Sequence, residues 1–300
     1  MLDSFFNYLS FEKRYSIHTV SAYKTDVLQF EQYLLKEFGL EDVLKVEYAH
    51  VRSWLISLNT AQLSTKSLHR KMASIRSFYK FMLRQKAIPL DPTLKIKVPK
   101  LKKRLPVFAT SSDMNRLLDA VVEHKEDNPF VAIRNQLIIE LFYGTGIRLS
   151  ELIGLKHQDI DFSKQSIKVT GKGNKQRLVP LHLQLISLMN QYIDEKKNTF
   201  PNNNNDSFIV TDKGLKCYPI FIYRIVKNKL SHINTLEKNS PHVLRHTFAT
   251  HLLDKGAELN AIKELLGHSS LAATQVYTHN TPAKLKAIFE QAHPKGKLEN

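Results

Sequence analysis

Helical periodicity dominates the first 88 residues. Apolar residues recur at three- and four-residue steps in segments that are predicted as helices at 2–14, 18–38, 47–58 and 64–86. Gly39 follows the second segment as a C-terminal stop, and Ser64 is the expected N-cap of the fourth. The pattern predicts an N-terminal domain built from helices.

The second half mixes helical and strand patterns. Residues 166–170 and 177–181 alternate on either side of GKGNK, which predicts a β-hairpin, and PNNNND at 201–206 predicts a loop. Ser111 or Ser112 is the expected cap of the first helix in this half. Helices are predicted at 111–123, 130–143, 150–155, 183–197, 219–230, 242–255, 260–266, 270–277 and 282–291. We therefore expect a mainly helical second domain with a small β-sheet.

Prolines interrupt the chain between the two halves. Residues 89–107 contain four prolines, which prevent a continuous helix, and many lysines. We interpret this segment as a basic linker that lies along nucleic acid, so that the domains are 1–88 and 108–300. The KKR within it also fits a localisation signal, an alternative that is weaker in a segment joining two folded halves.

Composition adds a strong positive charge. The formal net charge is +16 and the pI is about 9.7, which favours a polyanionic partner, although generally solvated lysines are an alternative. Cys217 is the single cysteine, which excludes an intrachain disulfide and a cysteine-based zinc site. The sequence has no signal-peptide pattern and no membrane-length apolar run. We expect a cytoplasmic protein that binds nucleic acid and no membrane.

Basic residues concentrate where phosphate contact is expected. No acidic residue lies between Ser64 and Ile88, and a basic helix face without acids is a better candidate for phosphate contact than for simple solvation. The predicted DNA-contact residues of this helix and of the linker are Lys66, Arg70, Lys71, Arg76, Lys80, Arg84, Lys100, Lys102, Lys103 and Arg104.

Polar residues also stand at unusual places in the second half. Arg148 follows a GTG turn, and His242 and Arg245 share one helix face. His242 and His246 have the i, i+4 spacing of a metal site, but HVLRH lacks a glutamate and places an arginine beside the ligands, so we expect no metal and no cofactor. The candidates for chemistry are Arg148, Glu151, Lys172, His242, Arg245, His268 and Tyr277.

Four motifs carry a resemblance to a known family. RLSELIGL, GKGNKQR, HVLRHTFATHLL and LLGHSSLAATQVYTH resemble, in this order, the conserved boxes of the tyrosine recombinases of the phage-integrase family, and within it those of the Xer recombinases. The resemblance covers nearly the whole chain. It places the family's six catalytic positions on Arg148, Lys172, His242, Arg245, His268 and Tyr277.

The resemblance implies a mainly α fold, with a four-helix, SAM-like core-binding domain and a mixed, mostly helical catalytic domain that together form a C-shaped clamp on duplex DNA. It also implies a homo- or hetero-tetramer with a sister recombinase, acting through a Holliday junction. The Xer likeness further implies chromosome-dimer resolution at cell division, with the DNA translocase FtsK as a partner. The last helix, 282–291, would be donated to a neighbouring subunit, the alternative being packing on its own domain.

The arginines fit phosphoryl transfer on their own chemistry. A phosphodiester concentrates negative charge on its non-bridging oxygens in the transition state, and Arg148 and Arg245 are suited to clamp those oxygens with fixed donors. His268 adds a third donor. Preorganised positive charge of this kind does what a metal ion does in nucleases.

The remaining candidates fit attack and proton transfer. Tyr277 is the plausible nucleophile, and its phosphotyrosine would conserve the energy of the broken bond. Lys172 would protonate the departing 5′-oxygen, and His242 would accept the proton of Tyr277. Glu151 would hold His242 or Arg148 in register, or be an ordinary carboxylate on a helix surface.

Three other functions are weighed against site-specific recombination. A DNA-binding protein without catalysis is disfavoured by the complete set of six residues. A type IB topoisomerase shares the arginine, lysine and tyrosine chemistry but rejoins the same strand as a monomer. The third is a transposon or phage-type integrase. The compact length disfavours the larger phage integrases but does not exclude a transposon enzyme.

Overall fold

The structure is a computed structural model of the 300-residue chain, which divides into two compact units, Met1–Arg104 and Leu105–Asn300. It describes residues 1–100, 108–123, 128–203, 205–231, 233, 239–267 and 289, without the side chains of 119–123 and 172. None of the helices in these described ranges is long and apolar enough to cross a membrane.

The regular structure of the first unit is helical in the residues described, as predicted. Ser64 caps the fourth helix by accepting a hydrogen bond from the backbone amide of Ser67 at 3.2 Å, and Gly39 ends the second helix. The helices of the described residues are α1 (Leu2–Asn7), continued by a π-helical turn (Tyr8–Glu12), α2 (Ile17–Phe38), α3 (Tyr48–Thr60) and α4 (Thr65–Arg84).

Aromatic side chains fill the core of this unit. The rings of Phe30 and Trp54 lie 4.9 Å apart, centroid to centroid, and Tyr79 is fully buried with its hydroxyl donating to the carbonyl of Val43 at 3.0 Å. The stripe predicted for α4 forms the centre of this core. Its buried members are Leu68, Met72, Ile75, Tyr79 and Met82.

One buried carboxylate joins α2 to α4. Asp26 is 0% exposed and accepts hydrogen bonds from Lys71 at 3.1 Å, from the hydroxyl of Ser74 at 2.8 Å and from Arg70. Lys71 is only 6% exposed and also donates to Gln29. The exposed position expected of Lys71 is therefore wrong, because α2 covers that side of α4 and supplies the acid that α4 lacks.

The segment after α4 packs onto the first unit. Ile88 and Ile96 are buried in the helical core, and Arg76 donates to the carbonyl of Ile96. His69 Nε2 lies 2.8 Å from the carbonyl oxygen of Pro99. Residues 89–99, which we assigned to a linker because of their prolines, thus contribute apolar side chains to this unit.

The second unit contains further helices and a three-stranded antiparallel sheet in the order β1-β2-β3 within its described residues. β2 and β3 form the predicted hairpin, with Val169 opposite Arg177. The strands are β1 (Ile160–Asp161), β2 (Ser166–Thr170) and β3 (Gln176–Pro180). The helices are α5 (Ser111–Glu123), α6 (Pro129–Thr145), α7 (Leu149–Gly154), α8 (Leu183–Thr199), α9 (Pro219–Leu230), α10 (Pro241–Asp254) and α11 (Leu259–Leu266).

Two expectations for the second unit change. Thr110, rather than Ser111 or Ser112, caps α5, since its hydroxyl accepts the amide of Asp113 at 3.1 Å and the Asp113 carboxylate accepts the amide of Thr110 at 3.2 Å. The predicted helices 270–277 and 282–291 lie outside the described residues except for Phe289. That residue is helical and buried, with its ring 6.5 Å from that of Phe248.

α6 is the central helix of this unit and ends where the candidate site begins. It packs against α8 and α10. Gly146 terminates it with φ of 60°, and a Cβ there would lie 2.5 Å from the ring of Phe248. Glycine therefore allows the chain to turn tightly under α10 into Arg148 and α7.

Replacing Asp26 by alanine should destabilise the first unit by about 3 kcal/mol, because Lys71 would be left buried without its carboxylate. Trp54, the single tryptophan, is buried in this unit, so its fluorescence in urea reports the unfolding of the unit. Arg70→Gln removes the half-exposed partner and leaves Lys71 paired, and it should cost less than about 1 kcal/mol. Equal losses in the two variants would contradict this account of the buried pair.

Candidate active site

A buried carboxylate lies at the centre of the predicted site. The side chain of Glu151, in the first turn of α7, is 2% exposed. Arg177 on β3 donates to it from both terminal nitrogens, at 3.0 and 2.9 Å. Arg148 donates to it twice, at 2.7 Å from the guanidinium and at 2.7 Å from the backbone amide. Glu151 is thus not a carboxylate of the helix surface.

The arginines determine the charge of this carboxyl group. Burial by itself raises the pKa of Glu151, but hydrogen bonds from Arg177 and Arg148 outweigh burial and lower the pKa to about 2. The group is therefore ionised at neutral pH. Of the two partners expected for Glu151, the described contacts include Arg148 and not His242, which is exposed.

Arg245 reaches the same place from α10. Its side chain is buried and donates to the carbonyl of Gly146 and, at 2.7 Å, to the carbonyl of Leu266. Burial, followed by the nearby Arg148, lowers the pKa of Arg245 to about 10, which still leaves the guanidinium charged at neutral pH. Its described hydrogen bonds all go to carbonyls, and a buried cation bonded in this way favours an anionic ligand.

The C-terminus of α11 brings the arginines together. Carbonyl groups in the last turn of a helix have no intrahelical partners and carry partial negative charge, so cations stabilise them. Arginines from different elements donate to successive carbonyls here: Arg177 to Leu265 at 2.6 Å, Arg245 to Leu266 at 2.7 Å and Arg148 to Gly267 at 3.1 Å.

Glycines allow these side chains to approach so closely. Gly267 ends α11 with φ of 64°, and a Cβ on it would lie 3.1 Å from Nη1 of Arg177. A Cβ on Gly171, in the hairpin, would lie 3.2 Å from Oε1 of Glu151. Larger residues at either position would press against the ion-paired groups.

The structure describes the other predicted catalytic residues only in part. Lys172 begins a short 3-10 turn, Lys172–Asn174, at the tip of the hairpin, and its side chain is outside the description. His242 lies in the first turn of α10, one turn before Arg245. His268 and Tyr277 lie outside the described residues. Their roles stay predictions.

Arg177 is the residue that sequence reasoning missed. It belongs to GKGNKQR, where the lysine drew attention as the hairpin-tip candidate. A signal was present, because strand periodicity places Arg177 on the same face as the buried Val179. An arginine on the inward face of a strand requires an acidic or carbonyl partner, and Glu151 supplies it.

The histidine pair of HVLRH does not form part of a metal cluster in the described residues. There, no group of three or more histidine, cysteine, aspartate or glutamate side chains is placed to hold a metal ion.

Two family models match the chain. The model described as the phage integrase family matches residues 108–284, and the model of the phage integrase N-terminal SAM-like domain matches residues 2–86. The chain belongs to the phage integrase family.

Curated relatives agree with this membership over nearly full length. A tyrosine recombinase XerC of Chlorobaculum parvum is 36% identical, covering 98% of this chain and 94% of its own. A XerC of Listeria monocytogenes serotype 4b is 37% identical, covering 97% and 96%, and a XerD of Oceanobacillus iheyensis is 34% identical, covering 98% of both chains. The tyrosine-recombinase prediction is confirmed, and the chain is a DNA strand-exchange enzyme.

Solved structures share the fold. The XerH site-specific recombinase bound to its difH substrate, in a pre-cleavage complex, is 26% identical with a TM-score of 0.69, covering 89% of this chain and 78% of its own. The Tn1549 transposon integrase in complex with circular intermediate DNA is 21% identical with a TM-score of 0.71, covering 95% and 97%. The helical N-terminal domain and mixed catalytic domain predicted for this recombinase are confirmed.

The predicted DNA-contact residues of α4 divide between two environments. Lys66, Arg70, Lys80 and Arg84 share one exposed face, with the small residues Ala73 and Ser77 between them. Arg84 also stacks over the ring of Tyr8 at 4.4 Å. Lys71 and Arg76 bond to the protein itself, and Arg70 of the exposed face is also paired with Asp26. Lys100 is exposed, and Lys102, Lys103 and Arg104 lie outside the described residues.

The stability of this recombinase should decrease in acid as Glu151 protonates. Its ordinary pKa is 4.5 and its folded pKa about 2, so the ion pairs stabilise fully above pH 4.5 and the gain is lost as the pH falls towards 2. The difference in unfolding free energy between wild type and Glu151→Gln, from urea titrations followed by circular dichroism, should shrink between about pH 5 and pH 3. A difference that stays constant would contradict the lowered pKa.

Proposed function

We propose that this recombinase cuts and rejoins duplex DNA at a specific site through a 3′-phosphotyrosine formed on Tyr277. The observation that supports it best is the meeting of the Arg148 and Arg245 guanidiniums at adjacent carbonyls, those of Gly267 and Leu266. Guanidiniums held together by buried partners form a preorganised site for one phosphate group.

These arginines keep donors for a ligand. A guanidinium has five N–H groups, and the described contacts occupy two of them on Arg148 and two on Arg245. The other N–H groups are suited to the non-bridging oxygens of the phosphodiester. Those oxygens gain negative charge as phosphorus becomes five-coordinate, so the clamp stabilises the transition state more than the ground state.

The covalent step exchanges one phosphoester for another. The phenolic oxygen of Tyr277 attacks phosphorus while the bond from phosphorus to the 5′-oxygen breaks. His242 accepts the phenolic proton, Lys172 donates a proton to the departing oxygen, and His268 is a third donor to the phosphate. In the reverse step a 5′-hydroxyl attacks the phosphotyrosine, which releases Tyr277 and restores the DNA backbone without ATP.

The exposed face of α4 is the proposed DNA contact of the first unit. Its four cations are spaced along about five turns of helix. The small residues between them leave room for a sugar–phosphate backbone to approach. Lys71 and Arg76 serve the fold instead, because Lys71 is buried against the Asp26 carboxylate and Arg76 donates to the carbonyl of Ile96. Arg70 also pairs with Asp26, but its side chain is half exposed, so it stays part of the proposed contact. Lys100, Lys102, Lys103 and Arg104 extend the proposed contact.

The proposed biological role follows from the relatives named XerC, XerD and XerH. It is resolution of chromosome dimers at cell division, in the cytoplasm, by a homo- or hetero-tetramer with a sister recombinase, through a Holliday junction and with FtsK as a partner. The fold likeness to the Tn1549 transposon integrase makes a mobile-element integrase the second candidate. Sequencing DNA trapped covalently from genomic fragments distinguishes a single chromosomal site from element ends.

Tyr277→Phe should bind DNA as the wild type does but form no covalent adduct, because the substitution removes only the attacking oxygen. The measurement is a denaturing gel of protein incubated with the trapped site in a duplex that carries a nick near the cleavage position. Tyr223→Phe, which alters an exposed tyrosine of α9, is the matched control and should keep forming the adduct. An adduct from Tyr277→Phe would show that another residue is the nucleophile.

DNA binding should depend on the α4 face in a salt-dependent way. Replacing Lys66 and Lys80 together by glutamine should reduce the slope of log affinity against log salt by about 1.8, since each phosphate contact contributes about 0.9. Replacing Lys36 and Lys45, which lie outside this face, should leave the slope unchanged. Equal slopes for all three proteins would show that Lys66 and Lys80 are solvated and make no phosphate contact.

A further inference from the structure

One largely enclosed arginine beside the site has no part in the proposed chemistry. The side chain of Arg177 is 12% exposed. Its two terminal nitrogens bond to the Glu151 carboxylate, and its Nε donates to the carbonyl of Leu265 at 2.6 Å. Every nitrogen of this guanidinium therefore has a protein partner. The described hydrogen bonds of the Arg148 and Arg245 guanidiniums, in contrast, involve only Nη1 and Nη2.

We propose that Arg177 is a positioning residue for DNA cleavage, acting through Glu151 on Arg148 and through Leu265 on the end of α11, without contacting DNA. The inference rests on the proposed role of Arg148 as a ligand of the scissile phosphate. The inference concerns how the Arg148 side chain is held in position.

The charge balance of the site requires a second cation on Glu151. The described charged groups that face this carboxylate are Arg148 on α7, Arg177 on β3 and Arg245 on α10. If Arg148 were the only cation paired with Glu151, the carboxylate would neutralise the positive charge of Arg148. Arg148 would then attract a phosphate more weakly. Because Arg177 takes both carboxylate oxygens, Arg148 can use Glu151 as an anchor and still present positive charge to a ligand.

Arg177 also joins three elements that meet at the site. β3 carries Arg177 and leads back to the hairpin tip with Lys172, while Arg148 is the N-cap of α7. The bond to Leu265 fixes the end of α11, where the carbonyl of Gly267 receives Arg148. Loss of Arg177 would therefore loosen the hairpin, α7 and α11 relative to one another at the site.

The experiment compares cleavage and binding by Arg177→Gln, Arg177→Lys and wild type on the trapped duplex site. Wild type must first form the phosphotyrosine adduct, and its failure to do so would refute the proposed function rather than the role of Arg177. With Arg177→Gln, DNA affinity should stay within about threefold of wild type, while single-turnover adduct formation at neutral pH should fall more than about tenfold.

The pH dependence separates positioning from a general structural role. Without Arg177 the pKa of Glu151 rises, so its carboxyl protonates at higher pH and ceases to anchor Arg148. The acid limb of the cleavage rate should therefore move up by more than about one pH unit in Arg177→Gln. In Arg177→Lys the shift should be smaller, because the cation remains but cannot bond both oxygens and Leu265 together.

Arg134→Gln is the matched control. Arg134 is 2% exposed in the same unit, paired with Asp212 and stacked on Phe130 and Phe221, away from the site. Its loss should lower the melting temperature and leave the pH dependence of cleavage unchanged. If Arg177→Gln does not fold, Arg177→Lys carries the test. Wild-type cleavage, a cleavage defect equal at every pH, or a loss of DNA affinity matching the loss of cleavage would each overturn the proposal.

Discussion

The ionised, buried Glu151 is the constraint on which the site depends. A carboxylate that is removed from water must be paired with cations and hydrogen-bond donors, and here it draws Arg148, Arg177 and, more distantly, Arg245 from different elements to one point. The same carboxylate accepts the backbone amide of Arg148 and so fixes the first turn of α7. The Glu151 carboxylate thereby fixes both the start of α7 and the position of Arg148, the residue proposed to bind the phosphate.

Backbone carbonyls form the other half of this arrangement. The end of α6, at Gly146, and the end of α11, from Leu265 to Gly267, present carbonyl oxygens that the arginines bind. Helix C-termini carry partial negative charge, so each guanidinium stabilises the end of a helix while the helix holds the guanidinium. Among the described residues, a phosphate bound to these arginines would compete with one carboxylate, that of Glu151, which Arg148 and Arg177 already share.

The local sequence pattern was sufficient to predict most helices and the hairpin. It was insufficient to predict side-chain contacts between residues that are far apart in the chain. Periodicity located the helices of the first unit and the hairpin, but β1 is two residues long and shows no alternation. Thr110 and the adjacent serines have the same capping chemistry, so only the structure distinguishes them. The burial of Lys71 follows from Asp26, which lies 45 residues earlier in the chain. Motif spacing indicated Arg148, Glu151 and Arg245. The structure was needed to show that Glu151 binds Arg148 rather than His242, and that Arg177 binds the same carboxylate.

A double-mutant cycle between Arg148 and Glu151 tests the central claim that the buried carboxylate acts through Arg148. Single-turnover cleavage rates of Arg148→Ala, Glu151→Gln and the double variant are compared with wild type on the same duplex. The account predicts that the double variant is about as slow as Arg148→Ala alone, since Glu151 has little left to position once Arg148 is gone. Losses that multiply would show that the two residues act independently, and that Glu151 does not serve to hold Arg148.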